Sequence, residues 1–137
     1  MKKYSIVIVE NDEDEQFFMK EGFDAAGLFE IKAQLRNGDE LLEWLKENET
    51  LLPDLVLSDL NMPGKNGYDI LDELKANPAY THLPIIITST SSAQTIIDKC
   101  RQKGAAEYMI KPDTFVEYEP FVVRLHGVVT SRQLVKT

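Results

Sequence analysis

Leu55-Val56-Leu57-Ser58-Asp59-Leu60-Asn61-Met62-Pro63-Gly64 reads as a short buried strand that carries one carboxylate, Asp59, to its end and then breaks into a loop. Leu55, Val56 and Leu57 are continuous apolar residues, the pattern of a strand covered on both faces. Pro63 and Gly64 close the element. In open α/β sheets, the crevice outside the carboxyl ends of the strands is where ligands bind and chemistry is done. Asp59 stands at such an end.

Outward from this strand, the chain repeats one pattern. Upstream, Ser5 to Val9 is a buried strand that runs into the acidic stretch Glu10-Asn11-Asp12-Glu13-Asp14-Glu15. Asp12 with Glu15 three residues on has the form of an N-cap with its capping box. The helix expected there runs to about Ala26, with Phe17 and Phe18 toward the core and Gly27 past its end. Phe29 to Leu35 alternates apolar and polar residues, as an edge strand with one wetter face does. Asn37-Gly38 leads into a helix carrying Leu41, Leu42, Trp44 and Leu45, stopped before Pro53.

Downstream, Asn66 can cap a helix with Tyr68, Ile70, Leu71 and Leu74 at helical spacing. Pro84 to Thr88 is a fourth strand, ending in Ser89-Thr90-Ser91-Ser92. A helix with Ile96, Ile97 and Cys100 follows, closed by Gly104. Ala106 to Ile110 is a fifth strand, ending at Lys111-Pro112, and Asp113 or Thr114 can cap a last helix holding Phe121, Val122, Leu125 and Val128. Strict alternation of strand and helix implies an α/β fold, a doubly wound five-stranded parallel sheet with five helices.

A chain of 137 residues is one domain, long enough for a proper core. The net charge of −8 argues against a nucleic-acid surface, which needs a basic patch. No apolar run is long enough to span a membrane or to serve as a secretory leader, so a cytoplasmic protein is expected. The single Cys100 fits that compartment and reads as a small core residue.

Each buried strand ends in something polar: Glu10-Asn11, Asp59, Ser89 and Lys111. Taken singly they have bland readings: a helix-dipole acid, a turn former, a helix cap and a solvated lysine. Gathered at one sheet edge they are chemically coherent. Carboxylate and other oxygen ligands suit Mg²⁺, while a hydroxyl and an ammonium complement a phosphoryl oxyanion. Tyr108, on the short fifth strand, reads on its own as packing.

With these residues in view, the chain resembles the receiver domain of bacterial two-component response regulators. The resemblance is carried by Val9-Glu10-Asn11, by Ser58-Asp59-Leu60-Asn61-Met62-Pro63-Gly64 with Gly67 beyond, by Ser89, and by Tyr108-Met109-Ile110-Lys111-Pro112. It implies the flavodoxin-like strand order 2-1-3-4-5. It implies that Asp59 accepts a phosphoryl group from a histidine kinase or phosphotransfer protein. Glu10, Asn11, Asp59 and the backbone carbonyl of Asn61 would hold Mg²⁺; Ser89 and Lys111 would bond the phosphoryl oxygens. Tyr108 would be the aromatic switch coupled to Ser89, and the Lys111-Pro112 bond would be cis.

Two departures from the family pattern are visible. Asn11 offers a neutral amide oxygen where a second acid is usual, which predicts weaker Mg²⁺ binding and slower phosphorylation unless Asp12 shifts in. Ser89 replaces the commoner Thr and keeps the hydroxyl. The residues after Lys111 suffice for one helix and a tail, so a stand-alone receiver without an output domain is expected. It would act by protein contact through the fourth helix, fifth strand and fifth helix, with Val128, Val129, Leu134 and Val135 as a possible homodimer contact. Three rivals are a phosphorylation-independent adaptor, an aspartyl-phosphate phosphatase and a flavin or nucleotide binder. The phosphatase lacks its usual second acid, since Asn61 stands there, and no G-x-x-x-x-G-K-[ST] or G-x-G-x-x-G supports the nucleotide binder.

Overall fold

The computed structural model describes residues 3–135. Five parallel strands form one sheet: β1 (Tyr4–Val9), β2 (Phe29–Leu35), β3 (Leu55–Asp59), β4 (Ile85–Ser89) and β5 (Glu107–Ile110), in the order β2-β1-β3-β4-β5. The intervening helices are α1 (Glu13–Ala26), α2 (Gly38–Glu47), α3 (Gly67–Ala76), α4 (Gln94–Gln102) and α5 (Tyr118–Ser131). The doubly wound five-stranded parallel architecture is as expected from the alternation of elements, and the strand order is the one the family resemblance implied. The edge position of β2 matches its alternating pattern, and the central β3 and β4 are buried throughout.

Strand alternation sorts the core into two layers. Ile6, Ile8, Leu55, Leu57, Ile86 and Met109 pack under α1 and α5, against Met19, Phe23, Tyr118, Phe121 and Leu125. Val7, Val9, Val56, Ile85, Ile87 and Tyr108 pack under α2, α3 and α4, against Leu41, Leu45, Ile70, Leu71, Leu74 and Cys100. Continued to the strand ends, this alternation assigns Glu10, Asp59 and Lys111 to the α1/α5 face, and Ser89 to the other face together with Tyr108. Apolar burial on both faces is the main stabilising term, at about 25 cal/mol per Å² removed from water.

Local signals account for most element ends. Asp12, Asn37 and Asn66 cap α1, α2 and α3 by accepting from the backbone N–H three residues on. Gly27 ends α1 in the left-handed conformation at φ 66°, which costs glycine little. Gly67 starts α3 because a Cβ there would lie 2.9 Å from the Leu60 Cα, so α3 can begin directly against the end of β3.

Several local expectations are corrected. Phe17 points outward at 58% exposure, and Phe18 is only partly buried, stacked on Phe115 with centroids 4.5 Å apart. Met19, Gly22 and Phe23 form the buried stripe of α1 instead, because i, i+3, i+4 spacing selects one rotational face. A 3₁₀ turn, Phe115–Glu117, precedes α5, and the Thr114 hydroxyl bonds the Glu117 carboxylate rather than a backbone N–H. The described residues contain no cis peptide bond, so Lys111-Pro112 is trans, the form an X-Pro bond favours by about 0.5–1 kcal/mol. Of the residues named for a homodimer contact, Val129 is fully buried, Val128 is half-buried, and Leu134 and Val135 are half-buried against the α1/α5-side core. Among the described residues, no helix is long and apolar enough to cross a membrane.

Candidate functional site

Lys111 is the hub at the carboxyl edge of the sheet. Its backbone N–H donates to the Ser89 carbonyl at 2.8 Å, which fixes the chain as it leaves β5. Its ammonium donates to Glu10 Oε1 at 2.9 Å and to Glu15 Oε1 at 2.6 Å, and lies 3.3 Å from Asp59 Oδ1. The lysine side chain is only 8% exposed, and Glu10 and Asp59 are as deeply buried. The α1/α5 face therefore brings Glu10, Asp59 and Lys111 together as the sequence anticipated. It also adds Glu15.

Three carboxylates around one ammonium leave this cluster short of positive charge. Burial, reinforced by the Asp59 charge, pushes the Glu10 carboxyl up to about 7 despite its Lys111 bond. Burial likewise raises Asp59, against the pull of Lys111 and the Asn61 backbone N–H. Glu15 is also penalised by burial, but its bonds from Lys111 and Tyr118 leave it below the ordinary value. Lys111 resists the same desolvation because Glu15, Asp59 and Glu10 all favour its charged form. A divalent cation beside Glu10 and Asp59 would relieve the excess negative charge.

That donor set fits Mg²⁺, which is usually held by one or two carboxylates and keeps several waters. Among the described residues no group of three His, Cys, Asp or Glu side chains is arranged as a ready metal cage. Asn11 lies exposed at the rim. Asp12 does not lean inward in its place: its carboxylate caps α1 through the Glu15 N–H at 2.9 Å. The reciprocal half of the expected capping box is missing, because the Asp12 N–H donates to Glu10 Oε2 and the Glu15 carboxylate is taken up by Lys111 and Tyr118.

On the other face, Ser89 is buried, with its hydroxyl 3.4 Å from Asn61 Nδ2 and accepting from the Ser91 N–H at 3.2 Å. Tyr108 is buried with its ring in the α2/α3/α4 layer, and its hydroxyl donates to the Ser91 carbonyl at 2.7 Å. Both residues therefore hold the same turn after β4. Thr88, which alternates with Ser89 onto the α1/α5 face, is buried in β4 beside Asp59 in the strand register, and among the described residues its hydroxyl is the one buried side-chain polar atom without a partner.

The response regulator receiver domain family matches residues 6–118. This chain belongs to that family. A receiver domain is a signalling phosphoacceptor of two-component systems rather than an enzyme, and receivers typically bind a divalent metal. Two-component response regulator ARR3 of Arabidopsis thaliana is 35% identical over 66 residues, 48% of this chain but only 29% of that protein. The matched segment thus spans less than a third of the length of that curated relative. A response regulator receiver domain from Rhodospirillum rubrum superposes with a TM-score of 0.79 and 28% identity, over 97% of this chain and 98% of the other. The phosphorylated cyanobacterial phytochrome response regulator RcpA has the same fold, with a TM-score of 0.81, 24% identity and coverage of 95% and 96%.

Glu15, Tyr118 and Thr88 were not marked as site residues by the sequence. Glu15 sits in an ordinary capping-box position and Tyr118 in an apolar helical stripe, so neither carries a local signal of its own.

Proposed function

We propose that this receiver accepts a phosphoryl group on Asp59 from a histidine kinase or phosphotransfer protein and signals through protein contacts. The observation that carries the reading is the buried Asp59 carboxylate, within 3.3 Å of the buried Lys111 ammonium and on the same face as buried Glu10. An Asp59 carboxylate oxygen forms the new P–O bond as the donor's P–N bond breaks, and the leaving imidazole nitrogen is reprotonated from solvent. Catalysis of such a transfer is mainly positioning and charge stabilisation. Glu10, Asp59, the Asn61 carbonyl and the Asn11 amide would hold Mg²⁺, which when bound offsets repulsion between the acceptor carboxylate and the anionic donor.

Lys111 and Ser89 would then bond the phosphoryl oxygens. Ser89 and Tyr108 share the turn after β4, so a shift of the Ser89 hydroxyl releases the turn that the Tyr108 hydroxyl also holds. This coupling supports Tyr108 as the switch and the α4–β5–α5 face as the surface read by a downstream protein. In this reading the chain is a single cytoplasmic receiver unit without nucleic-acid or membrane contact. A homodimer contact near the end of α5 would use the half-exposed Val128, Leu134 and Val135 rather than the buried Val129.

One observation favours a second reading, a phosphorylation-independent adaptor: Asn11 is exposed and Asp12 is spent on capping α1. Intact mass after incubation with acetyl phosphate and Mg²⁺ separates the two. One added phosphoryl group, absent from Asp59→Asn and from a chelated sample, is expected. No adduct on the wild type would establish the adaptor.

A further inference from the structure

We propose that Glu15 is a positioning residue that draws the Lys111 ammonium at rest toward α1, in competition with Asp59, and that Tyr118 fixes Glu15 for this task. The inference rests on the phosphoacceptor reading and adds a residue to that site.

Three distances state the competition. Lys111 Nζ lies 2.6 Å from Glu15, 2.9 Å from Glu10 and 3.3 Å from Asp59. An ammonium has three N–H donors, and the acceptor residue holds the longest of the three contacts. Glu15 is not a drifting surface acid such as Asp24, whose pairing with Lys20 is mostly exposed. Both of its carboxylate oxygens are engaged, one by Lys111 and the other by the Tyr118 hydroxyl at 2.9 Å.

Tyr118 in turn has no freedom to leave. It is 2% exposed at the first turn of α5, wedged against Gly22 of α1, where even a Cβ would come within 2.6 Å of the Tyr118 Cβ. The two partners of Glu15 lie 96 and 103 residues away in the chain, so the arrangement is built by the fold and not by helix-local pairing.

The chemical consequence is direct. A phosphoryl oxygen on Asp59 competes with Glu15 for the Lys111 ammonium, and Glu15 adds a third carboxylate facing the anionic donor. Glu15 thus slows phosphoryl acceptance, and release of Lys111 leaves the Tyr118 hydroxyl, at the start of α5, bound to a carboxylate that has lost its counter-charge. The site gains a second link to α5, separate from Ser89 and Tyr108.

The test is the rate of phosphorylation by acetyl phosphate at saturating Mg²⁺, with wild type, Glu15→Gln, Tyr118→Phe and the double variant. Glu15→Gln should react about three- to tenfold faster, equal to about 0.7–1.4 kcal/mol of barrier. Tyr118→Phe should be faster by about twofold, and the double variant should match Glu15→Gln alone, because residues in one network do not add. A merely structural role would slow the reaction, and its effects would add. A Glu15→Gln rate at or below wild type, or additive effects, overturns the proposal. If Glu15→Gln melts below the assay temperature, an unchanged Tyr118→Phe rate overturns it alone. A wild type that takes up no phosphoryl group refutes the phosphoacceptor reading itself. A phosphorylated wild type with an unaltered Glu15→Gln removes only the role of Glu15.

Discussion

Gly22→Ala and Gly127→Ala are the same substitution in two helices and should change stability in opposite directions. Both glycines are interior to their helices, α1 and α5, so alanine gains about 0.8–1 kcal/mol of helix propensity at each. At Gly127 a Cβ meets nothing within 4 Å, and the propensity gain stands alone. At Gly22 the new Cβ would lie 2.6 Å from the Tyr118 Cβ, 2.8 Å from the Tyr118 carbonyl carbon and 2.9 Å from the Glu119 N. Two of those three atoms are backbone, which no rotamer change can move. The helices must separate, and overpacking of this kind costs typically 1–3 kcal/mol. Gly22→Ala should therefore come out destabilised by up to about 2 kcal/mol, with its melting midpoint about 3–5 °C lower per kcal/mol. Gly127→Ala should melt a few degrees above wild type. Urea titration with a common m-value supplies the free energies. A Gly22→Ala protein as stable as Gly127→Ala would refute the account of α1–α5 packing.

Replacing Asn11 by Asp should tighten Mg²⁺ binding by about tenfold, read by titration calorimetry, because a charged ligand replaces a neutral amide; an unchanged affinity would mean the position is not a ligand. Thr88→Val should stabilise the fold by about 1 kcal/mol, since it removes a buried hydroxyl without a partner at nearly constant volume; a lower urea midpoint would show that the hydroxyl is satisfied. In chelator, stability should fall as pH rises from about 5 to 8. Glu10, held up to about 7 against an ordinary 4.5, keeps a proton in the folded state that the unfolded chain has released, and Asp59 shifts in the same direction. Glu15, shifted downward, contributes stability above its ordinary value and loses it only at more acid pH. Saturating Mg²⁺ should flatten the decline, and a urea midpoint rising between pH 5 and 8 without metal would contradict the burial of Glu10.

The amino-acid sequence by itself determined the strands, their parallel order of appearance and the polar residues that end them. Continuous runs such as Val56-Leu57 and Ile85-Ile86-Ile87 report burial on both faces, and burial of a strand is a property that a few consecutive residues can record. The same locality made Asp59, Glu10, Ser89 and Lys111 legible, since each follows its strand directly. Rotation of helices was not legible to that degree: Phe17 looked inward but points to solvent, Phe18 reaches only the margin of the core, and α1 turned Met19 and Phe23 fully inward. The partners of the polar groups were least legible of all. Glu15 has the spacing of a capping box and would serve as one in isolation, where Asp12 is its only near neighbour. Folding places Lys111 and Tyr118 beside it, and a desolvated ammonium outcompetes a backbone N–H that Glu10 can satisfy. That choice depends on α1, β5 and α5 converging over one end of the sheet, which only the packed tertiary structure decides.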